Sequence, residues 1–155
     1  MESLPDNSGV KLFPPLIYLA GLSAGLVLQK VGRLTSIPRN LRRPLSVGFL
    51  AVGLGLIAPS FRAFRKASTN IDVREPSTTI VTAGPYRLTR NPIYLGLANV
   101  YVAASLRFDS VWSLILLPAV LYTVQHTVIE SEERYLERKF GAEYLAYKAS
   151  VNRWL

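Results

Sequence analysis

The sequence from 84 to 96 reads Gly84-Pro85-Tyr86-Arg87-Leu88-Thr89-Arg90-Asn91-Pro92-Ile93-Tyr94-Leu95-Gly96, and it places turn-forming and polar residues inside a chain otherwise dominated by apolar runs. Its two prolines fix the backbone φ angle and remove amide donors, and they push the preceding residues, Gly84 and Asn91, out of the helical region. Proline is also favoured in the first turn of a helix. The stretch therefore predicts a rigid loop that leads into a helix beginning near Pro92.

Four long runs without Asp, Glu, Lys or Arg surround this loop, at 12–29, 44–61, 92–106 and 110–129. A helix of about 20 apolar residues spans the hydrocarbon core of a bilayer, and the third run is short for that purpose. The second run carries Gly48, Gly53 and Gly55, which suit close helix contacts in a membrane, and Pro59 is expected to end or kink its helix. We predict an all-α, polytopic membrane helix bundle with about four transmembrane helices in a single domain, 1–155.

The composition excludes several kinds of site. The chain has no cysteine and one histidine, His126, so disulfides and thiol nucleophiles are excluded and no metal site is predicted. The net charge of +8 could suggest nucleic acid, but the basic residues flank apolar runs and no nucleic-acid-binding motif accompanies them. Contact with lipid headgroups explains these charges better. The lipid bilayer is therefore the predicted partner, and no nucleic acid is expected.

Lysine and arginine are distributed unevenly between the two ends of the predicted bundle. With four spans and a cytoplasmic N-terminus, twelve of these residues fall on the cytoplasmic side and six outside, which is the bias that the positive-inside rule describes. We therefore predict a multi-pass membrane protein with both termini and the 84–96 loop in the cytoplasm. Residues 130–155 carry aromatic and basic side chains and predict an amphipathic interfacial helix, with a helix stop at Gly141.

A second polar cluster, Glu132 and Glu133, follows the fourth apolar run. A short connection joins the third and fourth runs, so they predict an antiparallel hairpin that brings these glutamates beside the 84–96 loop. Ionisable residues at the mouth of a membrane bundle are costly unless paired or solvated, which makes them functional candidates. Plainer interpretations stay open: either carboxylate could lie at a solvated helix end, and Arg90 could extend its charged head to the interface.

These motifs occur in a characteristic order. Along the chain stand Gly84-Pro85-Tyr86-Arg87, Arg90-Asn91-Pro92-Ile93-Tyr94-Leu95-Gly96, an apolar hairpin, Glu132-Glu133-Arg134-Tyr135-Leu136, Phe140-Gly141-Ala142-Glu143-Tyr144 and a terminal Arg153-Trp154. The combination resembles the isoprenylcysteine carboxyl methyltransferase and phospholipid methyltransferase family of integral membrane enzymes. The resemblance is close over about 70–155, and the first half of the chain is similar only in its hydrophobic spans.

The resemblance implies a methyltransferase that uses S-adenosylmethionine and transfers the methyl group in line to a lipophilic, membrane-delivered acceptor of the isoprenylcysteine carboxylate or phospholipid amine type. By position it implies catalytic roles for Glu133 and Arg90. The implied cofactor-binding residues are Gly84, Pro85, Tyr86, Arg90, Asn91, Pro92, Tyr94, Leu95, Gly96, Glu132 and Glu133. Adjacent helical residues point in different directions, so we expect Glu133 to be the inward carboxylate. The family usually has histidine at the position of Asn91, and an amide cannot shuttle a proton near neutral pH.

Two other functions stay open. Membrane reductases of the sterol-reductase kind use NADPH and have a related proline-tyrosine motif and a similar glycine-tyrosine tail, but the chain is short for that class. A non-catalytic membrane protein could use the helical hairpin for assembly. The methyltransferase fits the composition better, because a sulfonium cofactor supplies the reactivity and neither a metal nor a thiol is required.

Overall fold

The computed structural model describes residues 6–10, 12–34, 37–72 and 74–155. Within these ranges the chain is helical and contains no strand. Its α-helices are α1 (Pro14–Val31), α2 (Arg39–Lys66), α3 (Pro92–Arg107), α4 (Val111–Val124), α5 (Glu130–Phe140) and α6 (Ala142–Ser150). A 3-10 helix spans Gly84–Arg87, and a π-helical turn at Gln125–Ile129 joins α4 to α5.

Three helical segments of the described chain are long and apolar enough to cross a membrane: Pro14–Val31, Arg39–Lys66 and the continuous helix Val111–Phe140. Helix α3 has 16 residues and is shorter, as the short third apolar run indicates. Large apolar side chains face outward, among them Leu19 and Val47 with 57% and 67% exposure. Apolar surface of this extent marks a membrane-facing protein. The predicted all-α membrane bundle is confirmed, with three described segments of full spanning length rather than four.

Helix α2 extends well beyond the apolar run that predicted it. It begins at Arg39 and ends at Lys66, with Pro44 and Pro59 inside it. Of the two alternatives expected at Pro59, an end or a kink, the end is therefore excluded. A proline removes one backbone hydrogen bond, but in a bilayer the remaining backbone groups have no partner outside the helix, and this favours continuing the helix through the proline. The basic residues at both ends lie beyond the apolar span.

Glycines set how closely the helices approach each other. A Cβ atom added at Gly53 of α2 would lie 2.8 Å from the carbonyl oxygen of Gly96 on α3, and one at Gly96 would lie 3.0 Å from the carbonyl oxygen of Gly53. Helices α1 and α4 meet in the same way, because a Cβ at Gly25 would lie 2.4 Å from the Ser113 Cα. Gly48 and Gly55 have open space instead. Of the three glycines predicted for contacts in α2, only Gly53 makes one.

The polar connections end or redirect the helices as their residues predict. Asn91 precedes α3 with ψ of 50°, outside the helical region, and α3 begins at Pro92. Ser110 caps α4 by accepting a hydrogen bond from the Ser113 amide at 3.2 Å. Gly141 has φ of +52° and separates α5 from α6. Residues 130–155 are therefore two helices and a short extended end rather than one interfacial helix.

The close contact between α2 and α3 gives a stability prediction. In Gly53→Ala the new methyl group collides with backbone atoms of α3, so the helices must separate and the free energy of unfolding should fall by about 1–3 kcal/mol. Thermal unfolding of the detergent-solubilised protein measures the change. Gly55→Ala, two residues away in open space, is the matched control and should stay within about 0.5 kcal/mol of the parent. Equal effects of both variants would contradict the packing interpretation.

Candidate functional site

A cavity of about 390 Å³ lies where the ends of α1, α2, α3 and α5 meet the 84–96 loop and α6. Its volume is in the range of sites that hold one small-molecule ligand. One wall is polar and carries Arg90, Glu132 and Glu133. The rest is mainly apolar and aromatic, including Phe13, Phe61, Phe64, Ile93, Leu97, Tyr144 and Tyr147. The cavity therefore joins a charged end to an apolar end.

The polar wall is built around the Glu133 carboxylate, whose side chain is 8% exposed. Arg90 approaches it from the loop, with Nη2 at 3.0 Å from Oε1. Arg153 approaches from the C-terminal end and donates from Nε to Oε1 at 3.0 Å and from Nη2 to Oε2 at 2.7 Å. A buried carboxylate is costly unless it is paired and hydrogen-bonded. The two guanidinium groups supply both conditions and fix three segments of the chain on one residue.

Glu132 reaches the same cavity by a different route. Its Oε2 accepts a hydrogen bond from the Tyr94 hydroxyl of α3 at 2.9 Å. Glu133 bonds to two arginines, whereas Glu132 has no ion pair within the described part of the chain. Both carboxylates line the cavity, so the expectation that only Glu133 faces inward is wrong. The cavity is wide enough to contact both of these adjacent helical residues.

Arg90 has side-chain donors that make no hydrogen bond within the described part of the chain. Its side chain is 8% exposed, and Nε and Nη1 are buried without a hydrogen-bond partner in the described chain. Buried donors left without partners cost free energy, and each such group in a folded protein calls for an explanation. An anionic ligand group in the cavity would satisfy them. This residue is the clearest local sign that the cavity binds a ligand.

The loop is joined to the C-terminal end by backbone and side-chain hydrogen bonds. The Arg90 amide donates to the Asn152 carbonyl at 2.9 Å. The Thr89 hydroxyl and the Asn91 side-chain amide both donate to the Arg153 carbonyl at 2.9 Å. These bonds hold the backbone of Arg153 in place while its guanidinium reaches Glu133. Asn91 therefore lines the cavity, and its side-chain amide is already hydrogen-bonded to the Arg153 carbonyl.

Three tyrosines near the polar wall are neutral hydrogen-bonding groups. Burial raises the pKa of Tyr147 to about 12, although the nearby Arg90 opposes the shift. Burial also raises the pKa of Tyr86 and of Tyr144 well above the ordinary value. The Tyr147 hydroxyl donates to the Tyr86 carbonyl at 2.7 Å and ties α6 to the 3-10 helix. These phenols stay protonated near neutral pH and add no negative charge to the cavity.

The structure separates the predicted site residues into two groups. Those that line the cavity are Tyr86, Arg90, Asn91, Tyr94, Glu132 and Glu133. Those that do not line it are Gly84, Pro85, Pro92, Leu95 and Gly96. Gly96 faces the backbone of α2, and Gly84 adopts φ of +63° at a turn. These two glycines, with the two prolines, shape the loop and the helix contact, so the predicted contacts with a cofactor are not supported for these five positions.

Several residues of the site carry no direct signal in the sequence. Arg153 was part of a terminal motif but was assigned no role, and Tyr135, Tyr144 and Tyr147 were not predicted to line a cavity. Tyr144 is 2% exposed, but an aromatic residue on a polar terminal helix does not by itself predict burial. The apolar lining from Phe13, Phe61 and Phe64 was indistinguishable from lipid-facing sequence.

Comparison with known proteins shows the family to which this helical chain belongs. Residues 41–143 match the family model described as phospholipid methyltransferase, about two thirds of the chain. The chain belongs to the phospholipid methyltransferase family, and the resemblance read from its motifs is confirmed. It is also 38% identical to an uncharacterised protein of Haemophilus influenzae over 65 residues, which are 41% of this chain and all of that protein. No solved structure matches it.

The arrangement around Glu133 gives a second stability prediction. Arg153→Met removes the bidentate partner and leaves the buried carboxylate with Arg90 alone, so the free energy of unfolding should fall by on the order of 1–3 kcal/mol. Thermal unfolding in detergent checks this. Arg138→Met on the exposed side of α5 is the control and should have little effect. If both variants unfold at the parent temperature, Arg153 does not hold the C-terminal end in place.

Proposed function

We propose that this chain is an S-adenosylmethionine-dependent methyltransferase acting on a lipophilic acceptor supplied by the bilayer. The observation that carries the proposal is the single cavity in which Arg90, with two buried open donors, and the Glu132–Glu133 pair face a wall of apolar side chains. Membership of the phospholipid methyltransferase family supports methyl transfer as the reaction. The choice of methyl donor and the roles of individual residues are parts of the proposal.

The polar wall fits the charged groups of S-adenosylmethionine. The open donors of Arg90 match a carboxylate, for which a guanidinium is well suited. Glu132, which has no cationic partner in the described chain, matches a positive group or hydroxyl donors. When bound, the cofactor would supply an electrophilic methyl group on sulfur. The protein's part is to orient the two reactants and exclude water, which is sufficient for an in-line displacement.

The apolar side of the cavity fits a lipophilic acceptor. Phe13 and Pro14 come from the start of α1, and Phe61 and Phe64 come from the end of α2. Both helices are long and apolar enough to span a membrane, so this side of the cavity lies close to the lipid. We propose that the acceptor, an isoprenylcysteine carboxylate or a phospholipid amine, places its polar group toward the Arg90 end and its tail toward these rings.

The orientation in the membrane follows from charge. The cavity lies at the N-terminal end of α1 and the C-terminal end of α2, which is the end for which the sequence predicts twelve of the eighteen basic residues. We propose that this end faces the cytoplasm, where a water-soluble methyl donor is available, and that both termini lie on the same side.

Ligand binding separates the proposal from the alternative functions. S-adenosylhomocysteine at 100 times its Kd should stabilise the detergent-purified protein by about 2.7 kcal/mol, because it binds only the folded state. Thermal unfolding with and without ligand measures the shift. NADPH at the same concentration is the matched comparison and should give no shift. Stabilisation by NADPH alone would point to a reductase, and stabilisation by neither ligand would favour a non-catalytic protein.

Substitutions in the polar wall test the assignment of residues. Arg90→Ala removes the open donors, and Glu133→Gln removes the charge that holds Arg90, so each should reduce methyl transfer by about tenfold or more. Membranes containing each variant would be incubated with methyl-labelled donor, and the label in the lipid and protein fractions would be counted. The fraction that gains label also identifies the acceptor class.

The control for these substitutions is Arg87→Ala, which changes an exposed arginine of the same loop that does not line the cavity. It should retain parent activity and parent expression in the membrane. Wild-type activity in both Arg90→Ala and Glu133→Gln would refute the site assignment. Equal loss in all three variants would show that the effect is not specific to the cavity.

A further inference from the structure

Two segments that are not helical contribute residues to the lining of the cavity. We call them the roof: described residues 6–10 and 12–13 before α1, and 67–72 and 74–83 between α2 and the 3-10 helix. Their cavity-lining members are Ser8, Phe13, Asn70, Ile71, Asp72, Ser77, Thr79, Ile80 and Val81. The opposite wall comes from α3, α5 and α6.

One side chain of α5 contacts both parts of the roof. The Tyr135 hydroxyl donates to Asp6 Oδ1 at 3.1 Å and accepts a hydrogen bond from the Ser77 amide at 3.0 Å. Lys139, one turn later, donates from Nζ to both oxygens of Asp6, at 2.6 and 2.8 Å. It also donates to the Tyr135 hydroxyl at 3.1 Å. Three residues from three separate segments, Asp6, Ser77 and Lys139, thus contact one phenolic oxygen.

The two parts of the roof also contact each other. The Arg74 guanidinium lies 5.7 Å from the centre of the Phe13 ring, a cation–π distance. Asp72 holds Arg74 with hydrogen bonds of 2.6 to 3.2 Å. A displacement of one segment would therefore disturb the other. The contact between Arg74 and the Phe13 ring thus joins the two parts of the roof.

The attachment at Tyr135 is suited to opening and closing. The Asp6 side chain is 61% exposed and that of Lys139 is 26% exposed, and exposed ion pairs are weak and screened by salt. Tyr135 is itself 5% exposed and lies two residues from Glu133. A small number of polar contacts thus holds the roof over the polar wall, where a closed and dehydrated site favours methyl transfer.

We propose that the roof is a lid over the cavity and that Tyr135 is the positioning residue that holds it closed. The identity of the ligand under the lid rests on the proposed function, whereas the lid itself rests on the contacts of Tyr135, Asp6 and Lys139. Breaking these contacts should expose the cavity without removing any residue of the polar wall.

The absence of cysteine from the chain allows a direct test. Ser8 lines the cavity and is 9% exposed, so the cysteine of Ser8→Cys should react slowly with a small maleimide in the detergent-solubilised protein. Adding Tyr135→Phe keeps the ring and removes the hydroxyl, and the labelling rate should rise about tenfold. Tyr122→Phe, at a tyrosine with 68% exposure outside the cavity, is the matched control. An unchanged rate in Tyr135→Phe would overturn the proposal.

A charge exchange distinguishes a lid contact from general destabilisation. Asp6→Lys and Lys139→Asp should each accelerate labelling of the Ser8→Cys protein, and the double variant should return the rate toward that of the parent. Acceleration in the double variant as large as in the single variants would contradict a specific contact. S-adenosylhomocysteine should slow labelling of the parent. Failure to do so, with labelling still accelerated by Tyr135→Phe, would refute the proposed cofactor and leave the lid intact.

Discussion

The buried Glu133 carboxylate is the constraint on which the site depends. It lies between Arg90 and Arg153, and each arginine comes from a different segment. A carboxylate in a low-dielectric environment needs such partners, so the chain must bring the loop before α3 and the end after α6 to the same point on α5. The side-chain hydrogen bonds from Thr89 and Asn91 to the Arg153 carbonyl hold that geometry in place. The cavity forms beside the point where the loop before α3 and the end after α6 meet α5.

Arg90, Glu132 and Glu133 differ in how many of their hydrogen-bonding groups the protein satisfies. This difference determines which kind of ligand the cavity fits. Glu133 is paired with two arginines, whereas within the described residues Arg90 keeps two buried donors without partners and Glu132 accepts a hydrogen bond from the Tyr94 phenol alone. A site that offers an open cationic donor on one side and an open carboxylate on the other is complementary to a zwitterionic ligand. The tyrosines nearby are neutral because burial raises the pKa of Tyr144 and Tyr147. They can shape and hydrogen-bond the ligand without cancelling this polarity.

Short-range features of the sequence predicted the parts of the fold that depend on residues close together in the chain. The uncharged runs located the helices, the two prolines located the loop and the start of α3, and the short connection after α3 placed Glu132 and Glu133 beside that loop. Gly96 lies against α2 and does not line the cavity; a glycine allows close approach of a ligand or of another helix, and the sequence does not distinguish these uses. Tyr135 and Arg153 were missed because their contacts join distant positions, as in the bond from Tyr135 to Asp6. No periodicity or turn residue marks such contacts.

The position of Asn91 bears on how a proton could leave the acceptor. Its amide nitrogen donates to the Arg153 carbonyl at 2.9 Å, and an amide has no basic form near neutral pH. A carboxylate acceptor would need no base, because it is already ionised when it attacks the methyl group. An ammonium acceptor would have to lose a proton first. Because Glu133 is paired with two arginines and Glu132 has no cationic partner among the described residues, the proposed function would make Glu132 the carboxylate that receives this proton. Glu132 would therefore be needed as a base for an ammonium acceptor and not for a carboxylate acceptor.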